Sequence, residues 1–132
     1  VYRFLGDDTR NLVDIITRDR QVLDEVGLTC EQIAKRMEEL AKHGEDKPGV
    51  PVIVGTHQVT VEEHKGTIPC PFRDHHHAMK RNVTVVNLQL MDSVRWSDLN
   101  VHLIKEHGFF EGIGAPYRLE PEKLAKVLGL GK

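Results

Sequence analysis

The stretch Glu45-Asp46-Lys47-Pro48-Gly49-Val50-Pro51-Val52-Ile53-Val54-Gly55-Thr56-His57-Gln58-Val59-Thr60-Val61-Glu62 is where the apolar period of the chain changes. Before it, apolar residues recur every three or four positions, as on one face of a helix. After it they alternate, as on one face of a strand. Glu45 to Gly49 is polar and rich in breakers, so it divides a helical part, residues 1–44, from a part of sheet plus helices, residues 50–132. Val50 to Val54 predicts a short strand, Gly55-Thr56 a turn, and His57 to Glu62 a second strand with Val59 and Val61 on one side.

Upstream, Thr29-Cys30-Glu31-Gln32 has the form of a capping box, in which Thr29 caps the helix and Gln32 reaches back. Ile33, Met37, Leu40 and Ala41 fall on one face, Glu31, Lys35, Glu38, Glu39 and Lys42 on the other, and Gly44 reads as the stop. Ahead of it, Asp7-Asp8-Thr9 offers an N-cap for a helix of about Thr9 to Val26. Leu12, Ile15 and Ile16 form its apolar stripe, a break near Gln21 is conceivable, and Gly27 closes it.

Downstream, Lys65-Gly66 predicts a turn, and Thr67 to Phe72 an edge strand, because Pro69 and Pro71 cannot sustain a ladder on both sides. Asn82 to Leu90 predicts a strand with Val83 and Val85 opposite Thr84 and Val86. Met91-Asp92-Ser93 turns, and Val94-Arg95-Trp96 closes a hairpin. Ser97 caps a helix with Leu99, Leu103 and Ile104 inward and Gly108 at its end, after which Phe109 and Phe110 enter the core. A last helix starts at Pro121 and ends at Gly129. The expected class is α+β in a single domain of residues 1–132: an N-terminal helical pair, a small antiparallel sheet, then two C-terminal helices.

Composition bounds the function. The chain has 132 residues, too few for a multidomain enzyme, and 39% hydrophobic residues, enough for a packed core. Its formal charge of −2 is not that of a general nucleic-acid binder. Arg73, Lys80, Arg81 and Arg95 make a local basic stretch, so nucleic-acid contact is kept as a lesser expectation. No apolar run is long enough to cross a bilayer, and Val1-Tyr2-Arg3-Phe4 lacks a charged-then-apolar leader, so the expected location is the cytoplasm. Val1 is not Met, which leaves a preceding leader open. Cys30 and Cys70 are too few for a disulfide framework and fit a reducing compartment.

Eight histidines are the unusual item, and five of them fall between His75 and His107. A structural zinc takes four ligands, conveniently one pair from a turn between strands and one pair from a helix. Cys70 supplies a turn ligand, His102 and His107 a helical pair. The segment Leu99 to His107 resembles the helical half of a Cys2His2 zinc finger, with a leucine before two histidines separated by four residues. On an ideal helix those side chains lie roughly 140° apart, which predicts a tightened last turn. The resemblance ends at the cysteine pair, since Pro71, Phe72, Arg73 and Asp74 follow Cys70. Asp74, His75 and His64 are the candidates for the fourth ligand, with the neighbouring His76 and His77 as alternatives, and Asp98 is a candidate to orient His102.

The bland alternatives are a small buried hydrophobe at Cys70, a dipole-favoured cation at His107, a solvated loop at His75-His76-His77 and a tolerated first-turn thiol at Cys30. Gly108 to Gly114 follows a helix and has no Lys-Ser/Thr after it, so it is no phosphate loop. Tyr117-Arg118 serves either a ligand or the anchoring of the last helix.

The Cys70-Pro71-Phe72 segment and the stretch from His102 to Arg118 also resemble an uncharacterised family of short bacterial proteins, and that resemblance implies no particular activity. The expectation is a small metal-binding, zinc-holding interaction or regulatory module. The N-terminal helices are its expected surface for a protein partner or a homo-oligomer. A zinc-dependent hydrolase with an open coordination position, and Glu106 or Asp74 as base, is the alternative. A finger-like nucleic-acid binder is the third reading.

Overall fold

The computed structural model describes residues 2–131, so Val1, on which the reading of the chain's start depends, lies outside the described residues. The elements are α1 (Tyr2–Leu5), α2 (Leu12–Glu25), α3 (Cys30–Glu45), β1 (Val52–Val54), β2 (His57–Pro69), β3 (His77–Asn87), β4 (Asp92–Ser97), α4 (Asp98–His107) and α5 (Pro121–Leu128). The strands form one antiparallel sheet in the order β1-β2-β3-β4, each beside its neighbour in sequence. The α+β class holds, with one helical turn, α1, that the periodicity does not announce.

The sheet buries one face. Val59 pairs with Val85, Val61 with Val83, Val83 with Trp96 and Val85 with Val94. These six side chains join Leu23, Ile33, Met37, Leu40, Phe110, Leu124 and Leu128 in the main core. The strand alternation read from the sequence is therefore the sheet's inside and outside. A second, smaller cluster holds Ile15, Cys70, Ala78, Leu99, Leu103 and Phe109, rimmed by Phe4, Leu12, Ile68 and Phe72. Phe109 and Phe110 thus enter different clusters.

Thr29 and Gln32 form the capping box on α3, with Gln32 N donating to Thr29 Oγ1 at 3.1 Å and Thr29 N to Gln32 Oε1 at 2.9 Å. Gly44 does not stop the helix, which runs on to Glu45. A Cβ at Gly44 would come within 2.9 Å of Val61 Cγ2, so this glycine lets helix and sheet approach closely. The cap of α2 is Asn11, whose Oδ1 accepts from Asp14 N at 2.9 Å, and not the Asp7-Asp8-Thr9 group. Asp8 is engaged by Arg10 and by the Ile113 N–H. No break occurs at Gln21.

Lys65-Gly66 is likewise not a turn: the register shifts between Glu63 and Thr67, Gly66 sits at φ 100°, and β2 continues. Thr67 to Pro69 pairs with β3, while β1 pairs only with His57 to Val59, so Pro69 lies on a one-sided ladder as its ring requires. Strand β3 ends at Asn87, short of Leu90. The Asn87 Oδ1 accepts from Gln89 N and Leu90 N, both at 3.0 Å, and folds the chain into a turn.

The glycine-rich loop closes on the N-terminus. Gly112 N donates to Phe4 O at 2.8 Å, and a Cβ at Gly112 would fall 2.2 Å from Leu5 O. Arg118 anchors the region by donating to buried Asp19 of α2, to Glu111 O and to Glu120, the anchoring role of the two read for Tyr117-Arg118. Glu111 is 3% exposed, sits at φ 68°, and accepts from Asn100 Nδ2 at 3.1 Å. Burial pushes its carboxyl up to about 7, against the Asn100 hydrogen bond and the Arg3 and Arg118 charges.

Because an unfolded Glu titrates near ~4.3, the folded protein binds an extra proton between that pH and about 7 and loses stability as pH rises through this window. Above it the cost of the buried charge is fully expressed. Glu111→Gln should therefore gain melting temperature relative to the parent between pH 5 and pH 8. A difference that does not change with pH would refute this account.

Candidate metal centre

The loop between β2 and β3 is a tight hairpin connection. Cys70 N donates to His76 O at 2.9 Å, Arg73 N to Cys70 O at 3.1 Å, and Asp74 Oδ1 accepts from His76 N at 3.0 Å. Arg73 and His75 take left-handed backbone, at φ 57° and 67°. Cys70 and Asp74 come to the same side of this loop, with Cys70 lodged in the smaller core cluster.

Helix α4 starts at a Ser97–Asn100 capping box and ends on Gly108 at φ 63°. Its last turn is not tightened: Gly108 N donates to Ile104 O and Phe109 N to Leu103 O, both at 3.0 Å, the pattern of a left-handed glycine stop. The expected 3₁₀ ending is replaced by the reach of two imidazoles toward a loop lying beside the helix terminus. His102 Nε2 and His107 Nε2 both donate to Asp74 Oδ2 at 2.7 Å. Cys70 Sγ lies 3.7 Å from His107 Nε2.

One donor atom from each of Cys70, Asp74, His102 and His107 lies within 4.8 Å of every other, so this group could hold a metal ion. Bonds of ~2.0–2.1 Å to nitrogen and oxygen and ~2.3 Å to sulfur separate tetrahedral ligand atoms by about 3.3–3.6 Å. The sulfur–nitrogen edge already has that length, and the two nitrogen–oxygen edges would open by about half an ångström. Both rings are braced: His107 stacks on Phe72 with centroids 4.1 Å apart, and His102 on His76 at 3.8 Å.

Burial acts on Asp74 to raise its pKa, but hydrogen bonds from His107, the His76 backbone, His102 and Cys70 outweigh it and hold the carboxyl well below the usual range. Burial pushes the Cys70 thiol up, so an arriving cation must displace its proton.

Of the fourth-ligand candidates, the fold brings in Asp74 alone. His75 is exposed on a left-handed turn and His64 is exposed on β2, and neither belongs to the group. His76 contributes a stack and a backbone N–H. Asp98 does not orient His102: it takes Arg81, whose guanidinium lies 3.1 Å from both Asp98 and Glu45. Burial pushes the Asp98 carboxyl up while Arg81 pulls it down. Cys30 is half-buried and burial raises its pKa, the direction that suits a tolerated first-turn thiol. Sequence reasoning missed the Phe72 and His76 stacks, which no local spacing signals.

Glu38, Lys42, Glu106, His102 and Asp74 line a cleft between α3 and α4 of about 750 Å³. No helix among the described residues is long and apolar enough to cross a membrane. No protein-family model, curated protein or solved structure matches the chain.

Asp98→Asn should change metal affinity by less than about threefold, since a carboxylate that does orient a liganding histidine is worth 10–100-fold. Competition against a chromophoric chelator measures this, and a tenfold loss would return Asp98 to the histidine.

Proposed function

We propose that the protein is a small zinc-stabilised binding module in which the ion staples the β2–β3 loop to the end of α4. The observation that carries this reading is the convergence of four donors from two separate elements on one ion-sized space. A donor set of one thiolate, two imidazoles and one carboxylate suits zinc better than the oxygen-seeking cations. The cluster beneath is small, with six buried residues, so a cross-link there adds stability where apolar burial is thin.

Four protein donors favour a stabilising role over hydrolysis, which needs a position open to water. Nucleic-acid binding is disfavoured because Arg81 is held by Glu45 and Asp98, and Arg95 lies over the Tyr117 ring. A partner or second copy docking on the N-terminal helices would use their polar faces, because Ile15, Leu23, Ile33, Met37 and Leu40 are spent in the protein's own core.

Elemental analysis of tag-free protein should return about one zinc per chain. Cys70→Ser should lose that zinc and melt ~10 °C lower or more, the scale expected when a ligand present far above its dissociation constant is removed. Absence of stoichiometric metal after reconstitution with zinc would overturn the proposal.

A further inference from the structure

The four donors are not equivalent, and the difference is geometric. Asp74 and His102 line the cleft between α3 and α4, whereas Cys70 and His107 do not. Asp74 is more open than either histidine, its side chain 27% exposed against 11% for His102 and 20% for His107. The imidazoles are clamped by stacking on His76 and Phe72, and Cys70 is buried. Once the imidazoles and the thiol turn to an ion, the hydrogen bond left to the Asp74 side chain is the one from His76 N to its other oxygen. A carboxylate is also the partner least matched to a zinc ion already holding sulfur and nitrogen.

Resting on the metal reading, we infer that Asp74 is a displaceable ligand, and that the cleft admits a metabolite-sized molecule with a carboxylate head and an apolar body, whose head takes the place of Asp74. The exchange leaves the charge around the ion unchanged, because one ionised carboxylate replaces another. The Asp74 Oδ2 contact is given up, a contact to the ligand oxygen is made, and no covalent bond or proton moves. Asp74 swings toward water at the mouth of the cleft.

The rest of the cleft suits the body of such a ligand. Its volume of about 750 Å³ lies in the range of small-molecule sites. Met79 and Val101 supply the accessible apolar lining over a buried floor of Met37 and Trp96, and Glu38, Lys42, Lys105 and Glu106 make the polar remainder. Arg81 brings no free charge, being shared by Glu45 and Asp98. Among the described residues, the Trp96 indole Nε1 is the buried side-chain polar atom without a hydrogen-bond partner.

Cobalt(II) reconstitution provides the test, because its visible spectrum reports the coordination shell while its thiolate charge-transfer band reports Cys70. Titration of the cobalt protein with acetate should change the visible spectrum saturably. Hexanoate should act at concentrations about tenfold lower or less, from the methylenes it adds to the apolar lining. Asp74→Ala should still hold cobalt and bind both acids at least about tenfold more tightly, its internal competitor being gone.

A missing charge-transfer band on addition of cobalt overturns the metal reading and this inference together. A band that forms while the visible spectrum ignores both acids in the parent overturns the displacement of Asp74 alone, whatever the variant does. Equal affinities for acetate and hexanoate overturn the cleft as the seat of the apolar body. The parent titration decides the first two points even where Asp74→Ala does not fold.

Discussion

Gly108 is the constraint on which most of the molecule turns. Its left-handed backbone, at φ 63°, ends α4 and sends the chain back beneath its own last turn. A side chain there would be strained, and its Cβ would meet Arg20 Nη2 at 3.3 Å. From this point Phe109 drops into the smaller cluster and Phe110 into the larger. The same stop leaves His107 as the final helical residue, beside the loop that carries Cys70 and Asp74. One glycine thus joins the two cores and fixes the helical half of the donor group.

Charge is handled differently in the two halves. Near the N-terminal helices, Asp19 is buried and answered by Arg118 through two contacts, at 2.5 and 2.9 Å, so the last helix is tied to the second. Buried pairs of this kind recover their desolvation cost with little surplus, and they specify geometry more than they add stability. In the four-residue donor group, Cys70, His102 and His107 gather around one carboxylate. Two imidazoles on a single oxygen satisfy Asp74, and the buried thiol keeps its proton. A divalent ion could replace this compromise by direct bonds to all four donors.

Much of this was legible in the chain. The capping box at Thr29–Gln32, the cap at Ser97, the glycine stop at Gly108 and the Pro121 start are local signals that depend on a few neighbouring residues, and the elements they bound are where those signals place them. The valine alternation in β2 and β3 announces which face is buried. Gly44, Gly66 and Asp98 were not legible. Glycine has one symbol for a helix stop, a bulge and a close approach, and only the neighbour across space, here Val61 or β3, says which is meant. Asp98 had a histidine at helical spacing and an arginine across the sheet, and the arginine won because it brings full charge and a hydrogen-bonding fork.

By itself the sequence determined the α+β class, the placing of a small antiparallel sheet between helices, the buried face of the sheet, and the list of donors that includes Cys70, Asp74, His102 and His107; it missed α1 and divided β2 at Lys65-Gly66. These follow from periodicity and capping, which act over a few residues. Only the tertiary structure decided that Asp74, and not His75 or His64, completes the group, and that Asp74 and His102 alone face the cleft. Residues 74 and 107 are far apart in the chain. Their meeting depends on the β2–β3 register and on where α4 ends against it, and distances of that kind are set by packing.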